Sequence, residues 1–480
     1  MRNSTRKLIN VAKQNHIKEK IESSKDDIKK LWKSLKDFGL TGKTKKSSCN
    51  IGLMDENTNE INFDKKYVSN KFNSFFCNIA KKLVDKLPSG HNIKYEKVSE
   101  FYKNKGVTDD KLKLKKMSED EICKLLNKLN VAKATGHDGL SARFLKDGAS
   151  IISSPLTYVI NLSLECSQVP NAFKTAKVLP LFKKGDRNNC GNYRPVSILP
   201  VVSKIFERVV CNQLQEYLYD NNLLYVNQSG FRKHHSTDTA LISLSNMIFE
   251  NMDQGNFTGL ILLDLQKAFD TVNHEILLHK LKLIGACPKT VTWFKSYLTG
   301  RSQFVDVGRM RSDPDQVVCG VPQGSILGPV LFLLYLNDMS TPIDQNCSLF
   351  LYADDSALAV SSPDINYIQE RLSTNMNSLS GWLLENKLSL HLGKTECILF
   401  GNSKKLSKAG DLDIVCNGVK IQNTKCIKYL GCFIDNLMSG TRMYENTIKK
   451  INNTINFLYR NKQVFNQACK KMLINSLVQP

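Results

Sequence analysis

Three carboxylates have the residue type and the neighbours that a catalytic site needs. Asp354 and Asp355 are adjacent in SLFLYADDSALAV, where short runs rich in Leu, Phe, Tyr and Val flank them. Such β-favouring runs separated by turn-prone Asp are typical of a hairpin, so both carboxylates are expected at its tip. Asp264 ends an almost continuous apolar run, the mark of a strand buried on both faces. An isolated Asp-Asp pair is most often only turn chemistry, and the third carboxylate favours a site.

Carboxylates at neighbouring strand ends suit a hard cation such as Mg²⁺, which takes oxygen ligands and shares them with substrate phosphates. With two ions about 4 Å apart, one activates a primer hydroxyl and the other holds a triphosphate and the leaving pyrophosphate. Such a site transfers a phosphoryl group by positioning and charge neutralisation. The sequence therefore predicts Asp264, Asp354 and Asp355 as Mg²⁺ ligands, with Mn²⁺ as a possible substitute.

Several predicted elements would position these carboxylates. The segment QSGFRKHHSTDTAL, residues 228–241, is predicted as a turn followed by a helix that Ser236 or Thr237 caps. Residues 320–325 form a Gly/Pro turn before a very apolar helix. Further strands are predicted at residues 178–182, 395–400 and within 426–435, and further helices at about 203–219 and 365–386.

The first 116 residues are predicted to be a basic, mostly helical lead-in. Apolar residues recur at helical spacing over residues 17–38, stop at Gly39, and recur again over residues 68–87. Ser118 and Glu121 then open the next helix in capping-box spacing. The lead-in helices either present a solvated basic face or contact RNA.

The charge balance points to a polyanionic partner. The 480 residues carry a net charge of +22, and residues 1–116 hold 28 Lys and Arg against 14 Asp and Glu. Such a balance favours nucleic acid ahead of a membrane surface. A chain of this length is expected to form two or three domains.

Other classes of site and location are disfavoured. The 14 cysteines include no C-x-x-C pair, which argues against zinc fingers and a disulfide framework and favours an intracellular location in the nucleus or cytoplasm. Neither a signal peptide nor a membrane span is recognisable. GKT in residues 39–44 lacks P-loop spacing, and His274-Glu275 with His279 is one residue too long for a zinc-protease helix. The pair His234-His235 is interpreted as basic surface rather than a metal site.

From about Lys128 to Pro480 the sequence closely resembles reverse transcriptases of non-LTR (LINE-type) retrotransposons. The resemblance rests on the order and spacing of many motifs. They are GHDGL with RFLKD, NYRPVSILPVVSKIFERVV, QSGFRKHHSTDTAL, LLDLQKAFDTVNHEILLHKL, GVPQGSILGPVLFLLYLNDM, LYADD, NKLSLHLGKTECILF and IKYLGCFID.

The resemblance implies catalytic roles for the three aspartates. Asp264 and Asp354 should bridge both metal ions, and Asp355 should be the lesser ligand. Phe269 occupies the position of the family's sugar gate, where a bulky ring excludes a ribose 2′-hydroxyl. Without the resemblance, Phe269 is as readily interpreted as a core residue. Tyr352 is expected to pack near the primer end.

The resemblance also implies a nucleotide-binding set. Its glycines permit close backbone approach and its arginines suit phosphate geometry, although the arginines could instead be generic charge that binds a nucleic-acid backbone. Lys394 fits the position proposed to protonate pyrophosphate. The full set is Arg194, Arg232, Phe269, Gly320, Pro322, Gln323, Gly324 and Lys394.

The implied fold is α+β, a right-hand polymerase with an antiparallel palm sheet. Residues 117–435 are expected to form fingers and palm, and residues 436–480 the start of a helical thumb that breaks off at Pro480. Residues 1–116 would be a basic helical N-terminal extension without an endonuclease. The chain is accordingly expected to be a fragment, or a decayed or mispredicted copy, of a longer polyprotein, and nicking of target DNA is not expected of it.

The expected function is that of an RNA-directed DNA polymerase, acting on an RNA template and a DNA primer with deoxynucleoside triphosphates. Two alternatives stay open. An RNA-templated RNA polymerase is disfavoured by Phe269 and by YADD in place of GDD. A catalytically inactive nucleic-acid-binding remnant of the same fold is disfavoured by the presence of all three aspartates, whereas the short thumb favours it.

Overall fold

The computed structural model describes residues 2–24, 27–38, 51–55, 58–88, 95–108 and 111–478. The predicted helix end at Gly39 and the GKT loop lie outside these residues. The described chain is a mixture of helices and sheets, as the sequence predicts, and it divides into two compact units. One unit comprises residues 51–430, and the other combines residues 1–50 with residues 431–480.

The helices are α1 (Arg2–Glu22), α2 (Ile28–Asp37), α3 (Lys65–Val84), α4 (Tyr95–Lys103), α5 (Glu119–Asn127), α6 (Ala142–Asp147), α7 (Ala149–Cys166), α8 (Val201–Asp220), α9 (Thr237–Asp253), α10 (Ala268–Thr271), α11 (His274–Leu283), α12 (Pro288–Leu298), α13 (Leu327–Leu336), α14 (Ile365–Glu385), α15 (Ser403–Leu406), α16 (Thr441–Arg460) and α17 (Gln467–Leu477).

The strands are β1 (Leu53–Met54), β2 (Ile61–Asn62), β3 (Thr175–Phe182), β4 (Tyr193–Ile198), β5 (Phe257–Leu263), β6 (Arg301–Val307), β7 (Met310–Arg311), β8 (Asp315–Val317), β9 (Cys347–Tyr352), β10 (Asp355–Ser362), β11 (Glu396–Phe400), β12 (Val415–Cys416), β13 (Val419–Lys420), β14 (Gln422–Asn423), β15 (Cys426–Tyr429) and β16 (Cys432–Asp435).

The unit of residues 51–430 is built around a five-stranded sheet with the order β14-β11-β5-β10-β9. β5 lies at its centre and pairs antiparallel with both β10 and β11. The apolar run of β5 is almost wholly buried, which confirms the predicted strand covered on both faces. Gly259 lets α14 approach, because a Cβ there would stand 2.4 Å from Ile368 Cγ2.

A second sheet of the same unit has the order β4-β3-β6-β7, with β8 also paired to β6. β3 and β4 form a hairpin, and α3 packs its apolar face on the sheet through Val68, Phe72 and Phe76. The Phe72 ring meets the Tyr193 ring edge-on at 4.8 Å between centroids. The predicted strand at residues 178–182 is thereby confirmed as part of β3.

Local sequence signals decide several helix ends. Ser118 accepts a hydrogen bond from the Glu121 backbone N–H, and the Glu121 carboxylate accepts from Ser118 N, which confirms the predicted capping box. Ser236, rather than Thr237, caps α9. Helices α8 and α14 agree with the predicted ranges to within two residues at each end. None of the described helices is long and apolar enough to cross a membrane.

A buried ion pair lies behind the central sheet. Lys280 Nζ on α11 stands 2.6 Å from Asp338 Oδ1, and both side chains are 0% exposed. Tyr335 O accepts a further hydrogen bond from Lys280, and the Trp382 indole N–H donates to Asp338 Oδ2. Because these partners satisfy both charges, the pair ties α11, α13 and α14 together.

The other unit is a small helical cluster from the two ends of the sequence. Ile17 and Ile21 of α1, Leu31 and Leu35 of α2 and Leu473 of α17 are buried in one apolar core. Four of the predicted periodic residues over residues 17–38 are therefore core residues of this unit, whereas those of the second predicted helix, residues 68–87, belong to the unit of residues 51–430. The functional boundaries after residues 116 and 435 stay a prediction.

Candidate active site

The acidic pair lies on a tight hairpin, as predicted. β9 and β10 pair antiparallel, and Tyr352 opposite Asp355 is their last pair. The turn therefore consists of Ala353 and Asp354, and Asp355 is the first residue of β10. Ala353 has a left-handed backbone with φ 57°, which is unfavourable for a residue with a Cβ.

The register of the sheet brings the third carboxylate to the same place. Ser356 of β10 pairs with Leu263 of β5, so the next positions outward in this antiparallel ladder are Asp355 and Asp264. The Asp264 carbonyl accepts a hydrogen bond of 2.8 Å from His391 N, which holds the strand end against the segment before β11. The structure thus places all three predicted aspartates at one edge of the central sheet.

The carboxylates repel one another. Burial, and after it the neighbouring Asp354 and Asp264, together raise the pKa of Asp355 to about 6. The pKa of Asp354 is also raised, first by burial and then by Asp264. This site therefore concentrates negative charge that it only partly neutralises.

Cationic side chains face the carboxylates, and the sequence did not predict one of them, Lys183. Lys394 Nζ stands 3.2 Å from Asp264 Oδ2. Lys183, which follows β3, has a pKa lowered by burial and by Arg194, while Asp264 partly offsets that lowering. Burial likewise lowers the pKa of Lys267, which Arg194 and Lys394 lower further. The structure therefore gathers three cations at the carboxylates, Lys183, Arg194 and Lys394, of which Arg194 and Lys394 were predicted, and Lys267 lies beside Arg194 and Lys394.

The aspartates offer the oxygen donors that a divalent cation takes. Across the described ranges, no group of three His, Cys, Asp or Glu side chains stands close enough together to hold a metal ion as it is. The Asp264 carboxylate is instead engaged by Lys394. Raised carboxylate pKa values are nevertheless what a bound cation would relieve, so the donor set fits a divalent cation in charge and chemistry.

The predicted nucleotide loop, residues 320–324, is tied to the segment that follows Asp264. Gly320 N donates to Val272 O and Val321 N donates to Phe269 O. Gly320 has φ 82°, and a Cβ there would lie 2.7 Å from Asp270 O, so only glycine fits. Pro322 is half-buried within this braced loop.

Gln323 is held from two sides. Its Nε2 donates to Asp270 Oδ1 at 2.9 Å, and its carbonyl oxygen accepts from Ser197 N at 2.8 Å. Gly324 follows at φ 127°, where a Cβ would stand 2.3 Å from Ser197 O. The loop therefore joins the central sheet to β4, which also carries Arg194.

Phe269 lies between core and surface. Its half-buried ring stacks on the buried Phe332 with centroids 4.1 Å apart, and it meets the exposed Phe231 edge-on at 6.0 Å. The ring is thus packed on the core, and its role as a sugar gate stays a prediction.

Arg232 is bonded within its own loop. Its Nη1 donates to the carbonyl oxygens of Tyr225, Val226 and Gln228, so its guanidinium fastens its own loop. Arg194 is among the main charges that lower the pKa of Asp354 and of Asp355, and Arg232 is not. Of the two predicted arginines, the structure brings only Arg194 to the carboxylates.

Comparisons with known proteins agree with this geometry. The family described as "Reverse transcriptase (RNA-dependent DNA polymerase)" matches residues 182–434. The chain is 28% identical over 379 residues to the "RNA-directed DNA polymerase from mobile element jockey" of Drosophila melanogaster, covering 77% of the chain and 41% of that protein.

Two further Drosophila melanogaster proteins are similar. The "Probable RNA-directed DNA polymerase from transposon BS" is 30% identical over 68% of the chain and 36% of its own length. The "Probable RNA-directed DNA polymerase from transposon X-element" is 27% identical over 67% of the chain and 35% of its own length. The chain therefore spans about two fifths or less of the length of these relatives.

Proposed function

The chain belongs to the reverse transcriptase family, among those of non-LTR (LINE-type) retrotransposons, and from this premise we propose that it extends a DNA primer along an RNA template. One observation carries the proposal. Asp264, Asp354 and Asp355 share one sheet edge and face a group of cations, and the pKa values of Asp354 and Asp355 are raised. An anionic site of this kind opposite phosphate-binding cations suits nucleotidyl transfer.

We propose Asp264, Asp354 and Asp355 as the residues that hold two Mg²⁺ ions. When bound, the ions supply activation of the primer hydroxyl and neutralise charge on the triphosphate. The Asp264–Lys394 contact supports an exchange in which Lys394 leaves the carboxylate and turns to a phosphate oxygen. From that place Lys394 can donate a proton to the departing pyrophosphate.

The remaining cations fit a triphosphate. Arg194 offers a planar fork for phosphate oxygens, and Lys183 and Lys267 add compact charges beside it. Burial lowers the pKa of both lysines, and the desolvation that causes this strengthens their attraction for an entering polyanion. The braced loop at Gln323 would then lie against the base pair that forms.

Phe269 is proposed to exclude ribonucleotides. Its ring is held by stacking on Phe332, so it cannot turn away without losing that contact. A fixed ring beside the sugar leaves no room for a 2′-hydroxyl, which explains selection of deoxynucleotides by steric exclusion.

We assign the parts of a right-hand polymerase as follows. The five-stranded sheet of β5, β9, β10, β11 and β14 is the palm, and the β3–β4 sheet belongs to the fingers. Residues 436–480 begin the thumb. The unit of residues 1–50 and 431–480 carries 21 Lys and Arg against 7 Asp and Glu, which favours contact with a nucleic-acid backbone.

Primer extension on an RNA template with Mg²⁺ tests the proposal. Wild type should extend the primer, and Asp354→Asn should lower the rate more than about 100-fold, beyond what outer partners of a metal site cost. Asp220→Asn, at an exposed helix end, is the matched control and should extend normally. Phe269→Ala should accept ribonucleotides that wild type rejects.

Two results would count against the proposal. Equal extension by wild type and Asp354→Asn would refute the metal assignment. A wild-type chain that binds primer–template yet extends nothing would favour the inactive nucleic-acid-binding alternative.

A further inference from the structure

A loop outside the carboxylate cluster contacts the β9–β10 hairpin. The loop comprises residues 225–232 and is fastened to itself by Arg232, which bonds three of its carbonyls. Tyr225 OH also donates to Leu349 O of β9. The loop is therefore held by its own hydrogen bonds and packs on β9, the edge strand of the central sheet.

The loop continues the sheet past β9. Leu351 N donates to Asn227 O at 2.9 Å, and Ser229 N donates to Leu351 O at 2.8 Å. Gln228 and Leu351 form a parallel bridge between these two bonds. Because this pairing stops one residue before Tyr352, it aims the loop directly at the turn that carries Asp354.

Gln228 makes the contact with the turn itself. Its side-chain oxygen accepts hydrogen bonds from Ala353 N at 3.0 Å and from Gly230 N at 2.8 Å. Gln228 is 3% exposed, so water does not compete readily for either bond. One buried oxygen thus joins the loop to the turn.

Gly230 shows how close the two segments are. A Cβ at this position would stand 2.2 Å from Ala353 N and 2.9 Å from the Tyr352 carbonyl carbon. A Cβ contact below 3.0 Å would force its neighbour to move, and here both neighbouring atoms belong to the backbone of the turn. The loop backbone therefore lies directly against the turn.

The turn needs such support. Ala353 is left-handed at φ 57°, a conformation that costs roughly 1–3 kcal/mol in a non-glycine residue and persists only where surrounding contacts over-determine it. The Ala353 N–H is the donor at that strained residue, and Gln228 is its acceptor. Loss of this bond would let the turn relax and move the next residue, Asp354.

We propose that Gln228 is a positioning residue of the active site, which fixes the Ala353 turn and so the direction in which Asp354 projects. The inference rests on the proposed function, since it takes Asp354 to be a metal ligand. Gln228 acts through the hairpin backbone and touches neither substrate nor metal. Outer partners of metal ligands typically contribute about 10- to 100-fold in metal affinity or activity.

Three variants test the proposal in the full chain. Gln228→Met keeps the volume and removes the strong acceptor, whereas Gln228→Glu keeps the acceptor. Gln213→Met is the matched control, because Gln213 also bridges backbone, at Lys115, away from the hairpin. Hydrogen exchange of residues 351–355 is measured by mass spectrometry, Mn²⁺ affinity by titration, and primer extension by kcat and KM.

Gln228→Met should lose exchange protection at the turn, bind Mn²⁺ more weakly and lower kcat about 10- to 100-fold, with KM for the deoxynucleotide within about threefold. Gln228→Glu should restore the protection, and Gln213→Met should match wild type in all three measurements. A general loss of stability would lower exchange protection throughout the chain, rather than at residues 351–355 alone.

Other results would overturn the inference. Unchanged protection of the turn in Gln228→Met would do so, as would wild-type extension by it or an equal loss in Gln213→Met. If Gln228→Met does not fold, the test rests on Gln228→Glu. Unprotected hydrogen exchange of the turn in Gln228→Glu would then refute the inference. A wild-type chain without extension activity would refute the proposed function, while the exchange and Mn²⁺ measurements would still judge Gln228.

Discussion

Asp270 supplies a pH-dependent prediction about stability. Its carboxyl lies under the nucleotide loop, where Oδ1 accepts from Gln323 and Oδ2 has no hydrogen-bond partner among the described residues. It borders a cavity of about 50 Å³ that Arg301 also lines. Burial raises the pKa of Asp270 from its ordinary 3.8 to about 6, while Lys267 and the Gln323 hydrogen bond only partly oppose the rise.

The raised pKa makes the charged form of Asp270 a burden on the folded state. Because the pKa of Asp270 is higher in the folded chain than in the unfolded one, the protonated Asp270 carboxyl stabilises the fold, and this contribution is complete below pH 3.8. It is lost as the pH rises through about 6. At about 1.4 kcal/mol for each tenfold change, the full loss is about 3 kcal/mol.

Asp270→Asn removes the charge and keeps both the shape and the acceptor for Gln323. The variant should therefore gain stability relative to wild type as the pH rises, by about 2 kcal/mol between about pH 4.5 and 7.5. Urea unfolding at several pH values measures the difference, and the change with pH is independent of any constant offset that the amide introduces. Asp220→Asn, at an exposed position, should show no such trend.

A stability difference between Asp270→Asn and wild type that stays constant with pH would refute the reasoning. It would mean that the buried carboxyl is already neutral, or is ion-paired, across the range. A difference that shrinks as the pH rises would reverse the sign of the argument and show that the charged form is favoured by the fold.

Three further outcomes are expected. Lys280→Met should lower the free energy of unfolding by about 3–5 kcal/mol in urea titrations, because it leaves a buried carboxylate unpaired. Arg232→Ala should lower the free energy of unfolding by about 1–3 kcal/mol and leave KM for deoxynucleotides nearly unchanged, whereas Arg194→Ala should raise that KM. A raised KM in Arg232→Ala and an unchanged KM in Arg194→Ala would instead support Arg232 as the residue that binds the triphosphate. Gly324→Ala should lower kcat/KM at least about tenfold, since its Cβ would strike a β4 carbonyl, while Gly410→Ala has open space and should not.

The sequence predicted the carboxylate edge well because local patterns determine it. An apolar run ending in Asp264 indicates a buried strand, and alternating runs around Asp354 indicate a hairpin. The antiparallel register then leaves little choice about which strand ends meet. These three placements therefore follow from periodicity and turn chemistry.

Other parts of the site depend on contacts that a linear pattern does not reveal. Lys183 reaches the carboxylates because β3 and β4 fold back as a hairpin, and Lys267, which has a left-handed backbone at φ 48°, lies beside Arg194 and Lys394. Arg232 has the residue type of a phosphate ligand, and its engagement with three carbonyls is visible only in the folded loop. Side-chain direction, rather than residue type, separates these cases.

The fold holds the β9–β10 hairpin and its two carboxylates in an energetically unfavourable state. Asp354 and Asp355 are less stable as charges in the fold than in water, and Ala353 between the strands is strained. A bound divalent cation would relieve the carboxylates, so metal binding and folding should stabilise each other. The loop that carries Gln228 opposes relaxation of the turn before the metal arrives. A hairpin held in this way restricts the backbone that carries Asp354, which would lower the reorganisation that metal binding requires.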